Sequence, residues 1–311
     1  MTFELTILGS SSALPTSKRF PTAQLLNANE RFFLIDCGEG TQMQLRRFKI
    51  RFGKISHIFI SHIHGDHTFG LFGLLSSFSL LGRKNALHVY GPPRLKEILH
   101  IHFKAFDIHL PYPVIVHPVQ FEREDIVYED KSITVQSVPL KHRVPVCGFI
   151  FREKPRPLNL IKEKIEQYNI PVRELSKIQQ GNDYVTEEGM IVSNKELTLP
   201  PYNQRSYAYF TDTVYLPAKI SLLNNIDLLY HEATFEAKEG ELARITGHST
   251  TMQAAEMAKN AGVKKLLLGH FSARYKEISP LLKEARNIFP DTVAVEDGDQ
   301  FNIPVGRIPR K

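Results

Sequence analysis

The heptad Ser61-His62-Ile63-His64-Gly65-Asp66-His67 constrains this chain more than any other stretch. It places three imidazoles and one carboxylate within six residues. Neutral imidazole nitrogens and a carboxylate suit Zn²⁺, and Mn²⁺ or Fe²⁺ accept the same ligands. The preceding Ile58-Phe59-Ile60 reads as a buried strand, and Gly65 allows a tight turn. A strand that stops in a turn can fan its side chains around one point. His62 and His64 can then face one ion, while Asp66 and His67, past the turn, face a second. The competing reading is a set of solvated loop histidines, which would have no reason to be knotted so closely around an Asp.

The 311 residues suffice to bury a large core in one big domain or two. The net charge of +6 leans weakly toward a polyanionic partner. Two cysteines, Cys37 and Cys147, without CxxC spacing imply no disulfide framework and fit a reducing compartment. The first residues lack the basic and apolar regions of a signal peptide. Residues 71–81, the longest apolar stretch, are too short to span a bilayer. These features predict a cytoplasmic protein with no membrane partner.

Along the chain, residues 3–8 alternate as a strand and lead through Gly9-Ser10-Ser11-Ser12 to a basic loop over 15–21. Residues 32–35 form a second strand that stops at Asp36-Cys37-Gly38-Glu39-Gly40. The helix formers Gln42 to Leu45 follow. That helix is expected to carry Arg46, Arg47, Lys49 and Arg51, by default a wetted face. Residues 70–81 read as an apolar helix under the knot, 87–90 as a strand, and 95–106 as a helix opened by Pro92 or Pro93. His88, His100, His102, His109 and His117 lack ligand spacing and read as structural or surface histidines. Residues 133–138 make a strand that runs toward His142, and 147–151 make the next.

The composition shifts over residues 152–201, where prolines punctuate a single expected helix at 158–168. Between Arg152 and Gln180, the basic Arg152, Lys154, Arg156, Lys162, Lys164, Arg173 and Lys177 outnumber Glu153, Glu163, Glu166 and Glu174 by three. Apolar positions are too few for an independent core. The segment therefore reads as an arm inserted into one domain spanning 1–311, with no second domain. Strands return at 206–210, 226–230 and 265–268. A helix over 252–260 is capped by Ser249 or Thr250 and stopped by Gly262.

Apolar strands thus end repeatedly in Asp or His: Asp36, His62, His142, Asp212, His231 and His270. In α/β folds ligands bind outside the carboxyl ends of strands. The same stretches occur in an order known elsewhere. They are Asp36-Cys37-Gly38-Glu39-Gly40-Thr41-Gln42, the HxHxDH knot, His142, Thr211-Asp212-Thr213, His231-Glu232-Ala233-Thr234, His248-Ser249-Thr250 and Gly269-His270. The knot alone resembles the metallo-β-lactamase superfamily. The full series, from residue 3 to about 270, resembles ribonuclease Z, the tRNA 3′-processing endoribonucleases.

That resemblance implies a four-layer αβ/βα sandwich of the metallo-β-lactamase type with an inserted flexible arm. It implies two Zn²⁺ per subunit, one held by His62, His64 and His142 and the other by Asp66, His67 and His270, with Asp212 bridging. Asp66 would be the general base, and His248, held by Glu232, would protonate the leaving group. Asp36 would orient a ligand histidine, although a capping or structural role fits it nearly as well. The implied activity is hydrolytic removal of the 3′ trailer from precursor tRNA, leaving a 3′-OH. A homodimer is also implied, in which the arm over 152–201 grips tRNA, and Lys154, Arg156, Arg173 and Lys177 are its candidate contacts.

The arm departs from the family's Gly-Pro tip, reading Ile170-Pro171-Val172-Arg173 and later Lys177-Ile178-Gln179-Gln180-Gly181. The basic loop, Pro15-Thr16-Ser17-Lys18-Arg19-Phe20, also lacks the family's Asn. A broader phosphodiesterase acting on other RNAs or small phosphodiesters through the same site is the alternative. An RNA-binding protein that has lost its chemistry fits less well, since no ligand is missing.

Overall fold

The computed structural model describes residues 1–306, so the last five positions of the expected 1–311 domain lie outside the described residues. The chain divides into two compact units. The first comprises Met1–Arg152 and Ser206–Ile303. The second is built on Glu153–Arg205.

The first unit begins with β1 (Phe3–Gly9), β2 (Ala23–Ala28), β3 (Arg31–Ile35) and helix α1 (Thr41–Arg47). Next come β4 (Ile55–Phe59), α2 (Gly65–Leu80), β5 (Leu87–Gly91), α3 (Arg94–Ala105) and β6 (Val114–Pro118). β7 (Asp125–Glu129), β8 (Ile133–Pro139) and β9 (Cys147–Glu153) complete the portion before the insert.

The second unit holds short elements. They are β10 (Asn159–Leu160), α4 (Lys162–Gln167), α5 (Val172–Gln179), β11 (Tyr184–Val185), β12 (Ile191–Val192), α6 (Asn194–Leu197) and β13 (Thr198–Leu199). The first unit then resumes with β14 (Ser206–Phe210), β15 (Leu228–Glu232), α7 (Gly240–Thr246), α8 (Thr251–Ala261) and β16 (Lys265–Gly269). α9 (Ser279–Arg286), β17 (Thr292–Ala294) and β18 (Gln300–Asn302) follow.

Two seven-stranded sheets result, ordered β18-β1-β2-β3-β4-β5-β6 and β17-β16-β15-β14-β9-β8-β7. β3 to β6 are parallel, as are β14 to β17, because helices or long connections carry the chain back between neighbours. Strands buried on both faces are mostly apolar, and Ser206–Phe210 and Leu228–Glu232 are buried at every position. One core lies between the sheets and includes Phe33, Phe59, Phe149, Phe151 and Tyr209. A second joins the first sheet to α2 and α3 through Leu71, Leu74, Leu75, Leu95 and Leu99. A third joins the other sheet to α8 and α9 through Ala254, Ala258, Leu281 and Ala285. This is the expected four-layer αβ/βα sandwich. Among the described residues no helix is long and apolar enough to cross a membrane.

Several local expectations change. The strand β2 had no separate sequence signal, and it fills the space between β1 and β3. The helix under the knot begins at Gly65, so Asp66 and His67 sit in its first turn and do not follow a separate turn. The expected helix at 158–168 is shorter, Lys162–Gln167, because Asn159–Leu160 pair with Thr198–Leu199 instead. α1 stops at Arg47, and Lys49 turns the chain with a φ of 58°, so Lys49 and Arg51 lie beyond the helix. α8 carries a capping box made by Thr250 and Gln253, and Gly262 ends it at a φ of 61°.

The insert also has a small core of its own, contrary to the count of apolar positions. Ile170, Ile178, Val192 and Leu197 are buried together. α4 and α5 are amphipathic and each spends only one or two apolar residues on that core, which is why the stretch reads as polar.

Candidate metal centre

The carboxyl ends of β3, β4, β14, β15 and β16 deliver the side chains of one buried site. His62, His64, His142 and Asp212 form one group whose ligand atoms lie within 4.8 Å of one another, and Asp66, His67 and His270 form a second. Asp212 stands between them. Its Oδ2 is 3.4 Å from His62 Nε2 and 3.7 Å from His142 Nε2. Its Oδ1 is 3.4 Å from His67 Nε2 and 3.0 Å from His270 Nε2. Asp66 Oδ2 faces His67 Nε2 at 3.3 Å and His270 Nε2 at 3.5 Å.

The opposite edge of most of these rings is already engaged. His67 Nδ1 donates to Asp36 Oδ2 at 2.7 Å, His142 Nδ1 to the Gly247 carbonyl at 2.8 Å, and His270 Nδ1 to Thr234 Oγ1 at 2.9 Å. His62 Nδ1 lies 3.0 Å from Ser61 Oγ. These contacts fix the tautomers and turn Nε2 of each ring toward the site, where that of His62 also lies 2.9 Å from His64 Nδ1. Nε2 of His67, His142 and His270 is buried without a hydrogen-bond partner. Buried polar atoms are rarely left unmatched. Three unmatched lone pairs converging on one carboxylate are what a divalent cation requires, so the donor set fits a metal.

The electrostatics agree for the group around His62, whereas at His67 burial is outweighed by Asp66, Asp212 and Asp36, which raise it. Burial, followed by its neighbours His62 and His142, pushes His64 down to about 4 and keeps it neutral. Burial likewise lowers His62 and His142. Burial opposes the charge on Asp66 and Asp212, yet the surrounding imidazoles outweigh it and hold both carboxyls below the usual range.

Asp36 acts on a ring of the knot. Its carboxylate accepts from the Ser61 amide at 2.8 Å, Ser61 Oγ at 2.8 Å and Tyr209 OH at 2.6 Å, besides His67. The backbone at Asp36, Asp212 and His270 is left-handed, with φ of 55°, 45° and 59°. Gly247 has a φ of 80°, and a Cβ there would meet His142 Nδ1 at 2.8 Å, so a side chain would displace that ring.

Glu232 and His248 make a second pair at the rim. His248 Nδ1 lies 2.8 Å from Glu232 Oε1, and the Thr213 amide donates to the same oxygen at 2.8 Å. Burial works against charge on His248, but the Glu232 carboxylate overcomes it and holds the imidazole up at about 9. His248 also groups with Asp212 and His270 as a potential ligand set. Thr234 Oγ1, which donates to Glu232 Oε2 at 2.6 Å, links this pair to His270. Neither Thr234 nor Tyr209 stood out in the sequence, although Thr234 closes the quoted His-Glu-Ala-Thr stretch.

His231 is the exception among the strand endings. It lies inside β15, packs near Phe210 and joins no ligand group among the described residues. An open pocket of about 420 Å³ borders His64, Gly65 and Asp66, and Pro15 and Arg143 line it as well.

None of the four candidate contacts of the insert belongs to a ligand group among the described residues. Arg156 pairs with Glu153, Arg173 Nε is 3.8 Å from Glu174, and Lys177 Nζ is 2.9 Å from Glu174. Lys154 also has a partner. Each of these cations thus has a partner, although Arg173 and Lys177 share Glu174, and Arg156 shares Glu153 with Arg205.

Comparisons with known proteins agree with the geometry. A family model described as Anti-Pycsar protein Apyc1 matches residues 3–103, the part that holds the knot. Ribonuclease Z of Bacteroides fragilis is 49% identical over 295 residues, covering 95% of this chain and 97% of that protein. The crystal structure of human tRNase Z, short form, superimposes with a TM-score of 0.70 at 26% identity, covering 97% of this chain and 99% of that one. The metallo-β-lactamase fold protein YhfI from Bacillus subtilis shares the fold with a TM-score of 0.68 at 19% identity, covering 97% and 100%. A chain that matches a ribonuclease Z along almost its whole length, and gathers the seven side chains of the knot and the later strand ends into one cluster, belongs to the ribonuclease Z family.

Proposed function

We infer that this chain is a hydrolase, a metal-dependent endoribonuclease that removes the 3′ trailer from tRNA precursors and leaves a 3′-OH. The observation that carries the reading is Asp212, whose two oxygens divide between two sets of imidazoles. His62, His64 and His142 would hold one Zn²⁺, and Asp66, His67 and His270 the other, with Asp212 shared; Mn²⁺ suits the same donors. Bound there, the metal acidifies water and offsets charge on a phosphate.

The remaining steps fall to the chain. The Asp66 carboxylate, kept ionised by His67 and His270, accepts the proton of the attacking water. Water adds to phosphorus as the bond to the ribose 3′ oxygen breaks. His248 gives that oxygen its proton, and the trailer leaves with a 5′-phosphate. Glu232 orients the His248 ring through Nδ1 and keeps it protonated near neutral pH. Arg143, with no carboxylate partner among the described residues, offers positive charge to the phosphate in the pocket.

The insert is assigned to tRNA binding within a homodimer, with Lys154, Arg156, Arg173 and Lys177 as contacts. Deleting it should raise KM for precursor and spare turnover of a small phosphodiester; equal losses on both would assign it to the fold. A broader phosphodiesterase remains the second reading, and one observation favours it: the cations of the insert are largely paired. In-vitro cleavage of a 3′-extended precursor tRNA, with the cut mapped against the discriminator base, decides between them. Turnover of a small aryl phosphodiester that matches or exceeds precursor cleavage would overturn the first.

A further inference from the structure

Of the basic run after the first sheet strands, only Arg46 and Arg47 form an exposed helix face. Arg46 lies in the last turn of α1, while Lys49 and Arg51 lie beyond it. Arg83 and Lys84 follow the end of α2, more than thirty residues later. All five line one groove of about 750 Å³, floored by Phe52 and Phe78, and no Asp or Glu lines it. Among the described residues none of the five is in an ion pair with a carboxylate. Arg83 donates its three groups only to the carbonyls of Asn85, Ile55 and Ala86. Its guanidinium lies over the rings of Phe78 and Tyr112, and that of Arg46 over Phe52. The nearest acids belong to the flank. Glu4 lines a neighbouring hollow that shares Lys49 and Arg51, and Glu30 pairs with Lys54.

The plain explanation is that these cations complement the two helix C-termini that end here. A helix end carries roughly half a negative charge, so two ends account for about one. Five full positive charges exceed that several-fold, and their mutual repulsion is unrelieved within the chain. A surface that keeps such a cost is built for a polyanion. α2 runs from the knot to this groove over 16 residues, about 24 Å at 1.5 Å per residue. Nucleotides flanking the cut bond cannot reach so far, but the folded body of an RNA can. The insert, by contrast, has matched most of its cations with glutamates.

We propose that the groove of Arg46, Lys49, Arg51, Arg83 and Lys84 is a docking site for the phosphodiester backbone of the RNA substrate, remote from the cleaved bond. The proposal rests on the endoribonuclease reading above. Contacts of this kind give affinity without sequence readout and depend steeply on salt.

The test compares wild type with the triple variant Arg46→Ala, Arg51→Ala, Lys84→Ala. Binding of a 3′-extended precursor tRNA is measured across a salt series, alongside turnover of bis(p-nitrophenyl) phosphate. Each lost phosphate contact should flatten the log Kd against log salt slope by about 0.7–0.9, so the triple variant should lose about two to three. Its affinity at low salt should fall at least about tenfold, while turnover of the small diester is retained. Should the triple variant fold poorly, Lys84→Glu alone must still weaken binding and flatten the slope. An unchanged slope and Kd in a variant of a wild type that does cut the precursor would overturn the groove and leave the enzyme reading standing. A wild type that neither binds nor cuts the precursor would overturn both.

Discussion

Two histidine clusters draw on the same strand, one from its middle and one from just past its carboxyl end, and they are built for different ends. His57, on β4, stacks on His88, and His88 stacks on His117, with ring centroids 5.3 and 5.2 Å apart. Those rings satisfy each other or near neighbours: His88 Nδ1 lies 2.9 Å from His117 Nε2, and His57 Nδ1 lies 2.8 Å from Ser56 Oγ. Tyr90 stacks on His117, and Tyr128 meets His57 edge-on. Just beyond the carboxyl end of β4, His62, His64 and His67 meet Asp66 and Asp212; His62 Nε2 lies 2.9 Å from His64 Nδ1, and His67 Nε2 is left unmatched. Histidine count does not separate the clusters. What separates them is the carboxylate between the rings and the unsatisfied nitrogen aimed at it. The first cluster behaves as aromatic packing, and the second as a ligand set.

Substitutions can break this contrast. His248→Ala should lower turnover of precursor about 10²–10⁴-fold while metal content stays intact, because a leaving-group acid acts in the transition state. Steady-state kinetics with metal analysis decides it, and loss of metal would move His248 into the ligand set. Asp36→Asn should weaken metal affinity or activity about 10–100-fold, since Asp36 holds His67 in its metal-facing tautomer. Metal titration with a competing chelator reads this, and an unchanged affinity would reduce Asp36 to a structural role.

The smallest effect belongs to the stacked cluster. Burial, then His88 and His117, depress His57 to about 4, although Asp130 pulls the other way. The unfolded chain thus binds a proton near pH 6.5 that the folded chain refuses. The stability His57 contributes is present above that pH and is lost as pH falls from about 6.5 toward 4. His57→Phe should flatten the pH dependence of the urea midpoint over that window in metal-loaded protein, with turnover at pH 7.5 unchanged. A slope equal to wild type would remove the cluster from the acid response.

Sequence reasoning reached the fold and the site unevenly, and the physics explains why. The knot, Asp212 and His270 are legible because ligand chemistry tolerates few residue types and strand ends mark their places. The four-layer architecture is legible because buried parallel strands are mostly apolar. Thr234 and Tyr209 were hidden because a hydroxyl that orients another side chain looks like any other. The core of the insert was hidden because Ile170, Ile178, Val192 and Leu197 are scattered among short elements. The groove was hidden because residues 46–51 and 83–84 meet only once α1 and α2 are packed. His231 misled because it shares a strand end with Glu232 but faces the other way.

The left-handed backbone at Asp36, Asp212 and His270 bears on how this protein can evolve. Such a conformation in a residue other than glycine costs on the order of 1 kcal/mol or more. Three of them are a sizeable share of a stability of roughly 5–15 kcal/mol. Glycine at any of the three would relax the turn and delete the side chain that the turn exists to aim. A search for heat-resistant variants that ignored activity would therefore be drawn to Asp212 and His270, the proposed ligands, and would dismantle the site before it touched the sheets.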